Sequence, residues 1–363
     1  MGVVASSAAT TRVRSRWAGL RLRRRVLPSV IVTAVTVVVV AGFLSPLVRS
    51  LTVSFKSPDQ LAQVDSPIWP ADPQTFEYQG KSYEVFSVPM PDGTSKDLAL
   101  VTKGRTESKF VDPANAAAGL VTWQGSWRTL QNAWTFAPKP TNFSDAWDQL
   151  NFPRLFFNTA AIAIITTIGT ILSCTLVAYG FARFRFPGRG KLFTLLIATI
   201  FLPFAVTVIP TYTIFVKLGW VGTWLPLLVP TFFANAYDVF LLRQYFLTIP
   251  REMDEAAAID GAGPFRTLIS VVLPQAVPAL IAVAIFHFVY AWNDFFGPLI
   301  YLSANQDLQT LSVALARFNG IHSNRDPGII QAGTLMTMVL PVVMFFIFQR
   351  VFVRGVVITG VER

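Results

Sequence analysis

The sequence predicts an all-α polytopic membrane protein with six transmembrane helices and an extracytoplasmic insert that contains a small β unit. Three observations predict it. Hydrophobic residues make up 53% of the 363 positions and charged residues only 14%, with a mean hydropathy of +0.50, outside the soluble globular range. Six segments stay apolar over the roughly 20 residues needed to cross a hydrocarbon core about 30 Å thick at about 1.5 Å per residue. The basic residues of the short loops fall on one side of that six-helix path, as the positive-inside rule requires.

Residues 1–25 form a basic cytoplasmic N-terminus with Arg12, Arg14, Arg16, Arg21, Arg23, Arg24 and Arg25. The formal net charge is +10, but this run lies directly before an apolar segment and reads as a topology signal, not a nucleic-acid site. Residues 26–48 are the first span, a retained helix, because the run is of full spanning length and lacks a small-residue cleavage pattern. Residues 49–154 are an extracytoplasmic insert richer in proline, aspartate, lysine and aromatics. Within it, residues 76–86 alternate around a glycine-containing turn, and Pro91-Asp92-Gly93 marks another turn before an apolar stretch at 98–102. Trp123, Trp127, Trp134 and Trp147 supply either aromatic platforms for a sugar or packing and interface anchors; packing is the simpler account.

The five-helix core covers 155–353, with spans at 155–182, 192–216, 221–245, 276–302 and 329–353, followed by a cytoplasmic tail at 354–363. Arg183, Arg185, Arg189 and Lys191, then Arg251 and Arg266, then Arg350, Arg354 and Arg363 share the side of the N-terminus. Both termini and the loop 247–275 are then cytoplasmic. The loops 218–221 and 303–328 are external, and the second contains a short amphipathic helix near 308–318.

The lone cysteine, Cys174, excludes an intramolecular disulfide and argues against a metal cluster; it is a small packing residue. His287 and His322 lack companions at ligand or catalytic spacing. Gly188-Arg189-Gly190-Lys191 lacks the P-loop glycine at 184, so this chain binds no nucleotide cofactor of its own. Intramembrane polar groups are expensive enough to suggest function. Asn158, Asn235, Tyr237, Asp238, Asn293, Asp294, Gln331 and Thr334, with Thr337, either line a polar substrate path or bond helix to helix. Pro203, Pro210, Pro226 and Pro230 interrupt spans, freeing backbone groups for such a path or kinking helices for packing.

The most informative stretch is Glu255-Ala256-Ala257, with Gly261 after three residues and Val271, Leu273 and Pro274 after nine more. It reads as two short helices around a glycine corner. The spacing resembles the EAA motif of ABC importer permeases, with Val271 in place of isoleucine. Asn158, the run from Tyr179 to Gly188, Pro203 and Pro210, the run from Phe240 to Phe246, and Ala291 to Phe295 resemble the sugar-uptake branch, the maltose-transporter MalG type. The likeness covers about two thirds of the chain, from near Trp127 to the C-terminus, and the long external insert departs from it.

The resemblance implies a coupling helix carried by Glu255, Ala256, Ala257, Asp260, Gly261 and Pro274. Glu255 would pair with a basic residue of an ABC ATPase dimer that uses ATP and Mg; the alanines admit close approach, Gly261 turns the corner, and Pro274 ends the second short helix. It further implies a second permease subunit, an extracytoplasmic solute-binding protein reached by the loop 303–328, a tail at 355–361 near the ATPases, and a bacterial plasma membrane. The chain is then not an enzyme; no acid, base, nucleophile or metal spacing supports one. Two alternatives stay open: a permease for a polyol, glycerol phosphate or oligopeptide, and a membrane-anchored receptor or assembly protein whose insert binds a ligand.

Overall fold

The computed structural model describes residues 6–90, 93–320 and 326–358, which fall into two compact units divided between Lys139 and Pro140. Pro91, Asp92, His322 and residues 359–363 of the tail lie outside the described residues, as do the side chains of the basic run 12–25.

The first unit opens with α1 (Ser6–Ser54), whose apolar part, Pro28–Ser54, is long enough to cross a membrane and runs past the expected end at 48. A short α2 (Pro58–Leu61) follows, capped by the Ser57 hydroxyl. Gln60 is fully buried there, and its amide donates to the carbonyls of Pro67 and Trp69 while accepting from the Ala71 amide. That side chain satisfies a stretch of irregular backbone that would otherwise be left unpaired.

Eight strands come next: β1 (Ala71–Pro73), β2 (Thr75–Tyr78), β3 (Lys81–Pro89), β4 (Ser95–Thr102), β5 (Glu107–Val111), β6 (Leu120–Gln124), β7 (Gln131–Asn132) and β8 (Trp134–Phe136). β2 to β6 form an antiparallel meander with β7 added to β3, and β1 pairs with β8. The expected hairpin is present: Tyr78 pairs with Lys81 around Gln79 and Gly80, both at positive φ, which a two-residue hairpin turn demands. The sheet is larger than the small unit expected. Period-2 alternation splits it into two faces, Phe86, Val88, Leu98, Leu100 and Phe110 on one, Val85, Ala99 and Val111 on the other. Trp123 and Trp127 pack edge-on against Phe110 and Phe86, consistent with the packing role.

The second unit starts with α3 (Thr141–Gln149) and the long α4 (Phe152–Arg183). The expected insert end at 154 therefore lies beyond the unit boundary, and Trp147, stacked on Phe152 at 5.2 Å, belongs to the helical unit. The rest comprises α5 (Arg189–Ala198), α6 (Phe204–Lys217), α7 (Leu225–Leu228), α8 (Ala236–Thr248), α9 (Glu252–Ile259), α10 (Pro264–Thr267), α11 (Leu273–Trp292), α12 (Phe296–Tyr301), α13 (Leu311–Phe318) and α14 (Pro327–Ile358). Among the described residues, five helices are apolar and long enough to cross a membrane, or six if α5 and α6 count as one bent span.

Two expected spans and one expected helix end change, each at a residue with a local reason. The span at 192–216 bends by 100° between Phe201 and Phe204. Pro203 there offers no amide donor and pushes Leu202 to an extended conformation. The span at 276–302 stops at Trp292, because the Asp294 carboxylate accepts the Gly297 amide at 3.2 Å and starts α12. Pro274 does not end a short helix: helix runs continuously through Pro264–Trp292, and the π turn at Leu268–Val272 just ahead of Pro274 is the local adjustment by which such a helix accommodates a residue without an amide donor. The amphipathic helix expected near 308–318 is α13, with Leu311, Val313 and Phe318 buried.

Two apolar clusters hold this unit. Ala178, Tyr179 and Ala182 of α4 pack with Val239, Leu242 and Phe246 of α8 and with Leu268, Val272 and Ala276. Nearer the start of α4, Phe152, Leu155 and Ala163 pack with Phe288 and Trp292 of α11 and with Leu311, Phe318 and Ala332. Along α4, residues 166–173 lie between the two.

Candidate functional site

Two places in the helical unit gather chemistry. The first is the corner between α9 and α10. Glu252, Asp254 and Glu255 occupy the first turn of α9, where the helix dipole favours negative charge. At the other end the Gly261 amide donates to the Ala258 carbonyl at 3.0 Å and the Ala262 amide to the Ala257 carbonyl at 2.9 Å. With Gly261 at φ +79°, that pair of bonds is a Schellman C-cap, which needs a residue free to be left-handed. The glycine of the motif is therefore a backbone requirement. Glu255, Ala256 and Asp260 are exposed and Ala257 is half-buried, while Ile259 is 87% and Phe265 65% exposed.

The corner is tied to α4 by residues that sequence reasoning had read otherwise. Arg183, read as a topology charge and as part of the run that resembles the family, forms an ion pair with Asp254 (Nε to Oδ2, 2.9 Å), and its guanidinium also donates to the Ile249 carbonyl at 3.1 Å. The Tyr179 hydroxyl donates to the Pro264 carbonyl at 3.0 Å. Arg183 is nearly enclosed, its side chain 7% exposed, and with Glu255 it borders a hollow of about 310 Å³.

The second place is a break ahead of α8. Pro226 and Pro230 leave only α7 and a 3₁₀ turn there, and Ala234 takes φ +29°, rare for a residue with a side chain. Unpaired backbone is costly in an apolar bundle, and α4 supplies the partners. The Ser173 hydroxyl donates to the Thr231 carbonyl at 2.9 Å, and the Asn235 amide donates to the Cys174 sulfur at 3.3 Å. Gly169 makes the approach possible: a Cβ there would lie 2.8 Å from Thr231 Oγ1 and 2.9 Å from the Phe232 ring.

Past the break, Asn235 caps α8: its Oδ1 accepts the Asp238 amide at 2.9 Å, and its Nδ2 donates to Asp238 Oδ2 at 2.7 Å. His287 of α11 lies with Nδ1 3.9 Å from the same Oδ2 and Nε2 3.2 Å from Thr170 Oγ1. These four residues line a cavity of about 570 Å³, with Tyr237, Phe286 and Tyr290 as aromatic walls.

Of the eight path candidates, the structure brings Asn235, Tyr237 and Asp238 together at this cavity. The others lie elsewhere. Asn158 donates to the Asp307 and Gln309 carbonyls, both at 2.9 Å, and with the Arg154–Asp307 pair it pins the loop before α13. Asn293 bonds back to the Val289 carbonyl, and Asp294 starts α12. Gln331 and Thr334 are on α14, where Thr334 and Thr337 bond to their own helix. Thr170 and His287 were missed. His287 follows Phe286 on an apolar helix, and only its placement opposite Asp238 and Thr170, 117 positions away from the latter, reveals a cluster.

A family profile described as "Binding-protein-dependent transport system inner membrane component" matches residues 165–357. The chain is 32% identical over 222 residues to an osmoprotective compounds uptake permease protein of Synechocystis, covering 61% of this chain and 74% of that one. It is 34% identical over 207 residues to an arabinooligosaccharides transport system permease protein of Halalkalibacterium halodurans, covering 57% and 73%. Its fold is similar to a chain of a bacterial ABC transporter involved in the import of the acidic polysaccharide alginate, with a TM-score of 0.63 at 17% identity over 90% of this chain and 97% of that one.

Proposed function

Since this chain belongs to the family of binding-protein-dependent transport system inner membrane components, a transporter family and not an enzyme family, we propose that it forms half of the translocation path of an ATP-driven importer for a sugar or sugar derivative. It is a multi-pass membrane protein and a permease component, the kind of subunit that works with a solute-binding protein and an ABC ATPase. A second permease subunit completes the path. The bent α5 and α6 count as one span, giving six; both termini and the loop 247–275 face the cytoplasm, and the β insert faces outward. The loop cations, all on one side of that arrangement, support the orientation.

The observation that carries this reading is the α9 corner, which offers the exposed Glu255, Ala256 and Ile259 to a partner. Movement imposed on α9 passes to α4 through Arg183 and Tyr179 and to α11 through the unbroken helix from Pro264. Both helices lead to the cavity. Thr170 is 13 residues from Arg183, about 20 Å along α4, and His287 is 23 residues from Pro264, about 35 Å. A lever of this kind converts closure of two ATPases into movement of the cavity walls.

The cargo assignment draws on the arabinooligosaccharide relative. A second reading keeps the machinery and changes the cargo to an osmoprotective compound, the class in the Synechocystis relative's name. Affinity isolation of this chain from its native membrane in mild detergent, with mass spectrometry of the co-purifying proteins, tests the assembly. Recovery of an ATPase, a second permease and a binding protein is the expected result; recovery of the intact chain alone would overturn it.

A further inference from the structure

We propose that the cavity between α4, α8 and α11 is a cargo subsite for the hydroxyl groups of an uncharged sugar, with the Asp238 carboxylate as acceptor and Tyr290 as stacking face. The proposal rests on the importer reading and specifies the class of cargo within it. The volume, about 570 Å³, falls within the roughly 300–1,000 Å³ usual for small-molecule sites.

Asp238 is only 6% exposed, yet it lines the cavity. A carboxylate has about four lone-pair sites, and the Asn235 amide takes one on Oδ2. Oδ1 meets no hydrogen-bond donor among the described residues. Interhelical glue would close on itself; this cluster keeps acceptor capacity beside open space. Anchoring by Asn235 and the α8 N-terminus holds the carboxyl group oriented before cargo arrives.

His287 provides the second polar contact. Its Nδ1 is 3.9 Å from Asp238 Oδ2, too far for a direct hydrogen bond, and a hydroxyl placed between them reaches both. Thr170, bonded to the other ring nitrogen, fixes the ring orientation. The third contact is apolar: Tyr290 is 71% exposed and Phe286 51%, giving ring faces for the C–H side of a pyranose. Among the described residues the cavity lining includes a carboxyl group and offers no lysine or arginine to pair with a uronate or sugar phosphate, so the site selects against anionic cargo.

The test uses the complex isolated through this chain, stripped of binding protein and placed in lipid nanodiscs. Saturation-transfer NMR is run with uncharged maltose, trehalose and xylobiose and with anionic glucuronate and glucose 6-phosphate. At least one uncharged probe is expected to bind tenfold or more tightly than either anion. Asp238→Asn should lower that affinity about tenfold and bring glucuronate to within threefold of it. Tyr290→Ala, which alters an exposed ring, should weaken the uncharged probe about tenfold with assembly unchanged, and it serves if the Asp238 variant does not assemble. Binding by none of the uncharged probes to an intact complex, or selectivity unchanged in both variants, would overturn the subsite and leave the importer reading standing. Failure of the ATPase to co-purify would sink both.

Discussion

At the Gly261 corner the working residues lie within about twenty consecutive positions and the motif's Glu255, Ala256 and Asp260 are exposed; at the Asp238 cavity they come from α4, α8 and α11 and meet across a hollow. The corner depends on backbone geometry, a helix closed by a left-handed glycine, which constrains neighbouring residues and so leaves a fixed spacing. The cavity depends on side chains meeting across helices, which constrains no spacing at all. The two also differ in rigidity. The corner's anchor is the enclosed Arg183–Asp254 pair, while the cavity owes its space to helix that was broken and then satisfied by α4. In the proposed importer force enters at the first and cargo passes at the second, and α4 and α11 belong to both.

The largest test of that division is Gly261→Pro, because proline fixes φ near −65° where the corner needs +79°. Uptake in whole cells should be abolished with membrane insertion unchanged, and Glu255→Ala should do the same by removing the exposed anchor. Gly261→Ala separates conformation from space. A Cβ there meets nothing within 4 Å, so the cost is the left-handed penalty of about 1–2 kcal/mol and uptake should fall only partly. Normal uptake by the proline variant would break the comparison.

Next in size is Arg183→Ala, which leaves Asp254 without its cation; losing one partner of a buried pair costs about 3–5 kcal/mol, and the partial exposure of Asp254 puts this case at the lower end. ATP hydrolysis should persist while uptake per ATP drops severalfold. The double exchange of Arg183→Asp with Asp254→Arg should recover part of the loss, whereas no recovery would make Arg183 a packing residue only.

Gly169→Val acts on the other region. Its side chain would strike Thr231 and Phe232, shifting the broken segment and narrowing the cavity, so uptake should fall several-fold with co-purification of the ATPase intact. Loss of ATPase binding in this variant would mean the two regions are not separable.

The smallest expected effect lies in the insert. Lys96, hydrogen-bonded to Asp112, holds that carboxyl below the usual carboxylate range, against the opposing effect of burial. A folded value lower than the unfolded one gives stability that is present above about pH 4 and lost as pH falls through the folded value. Half-exposed Lys96 limits this to about 0.5 kcal/mol or less. Amide exchange in β4 and β5 of the whole protein, corrected for its intrinsic pH dependence, should accelerate below pH 4, and Lys96→Met should remove that step.

Much of the architecture was legible because hydropathy and turn chemistry are local. The hairpin at Gln79 and Gly80, the amphipathic α13 and the glycine corner all follow from short patterns. The bend at Pro203 was hidden by an apolar run that continues unbroken through it, and the stop at Trp292 by apolar residues that resume after Asp294. Pro274 looked like a helix end, although a π turn ahead of it lets the helix run on. β5 and β6 were missed because each alternates over only five residues, and β5 carries the charges of Glu107 and Lys109. His287 is the instructive omission: a single histidine on an apolar helix carries no sequence signal, and its meaning comes from a carboxylate 3.9 Å away on another helix.

The measurement that tests the account most directly is sugar-stimulated ATP hydrolysis and uptake, recorded together in proteoliposomes of the complete transporter, for Glu255→Ala and Asp238→Asn side by side. The account predicts that Glu255→Ala loses both activities while still binding sugar, and that Asp238→Asn keeps basal hydrolysis but loses stimulation and most uptake of the uncharged sugar. Equal loss of basal hydrolysis in the two variants, or full uptake in either, would contradict it.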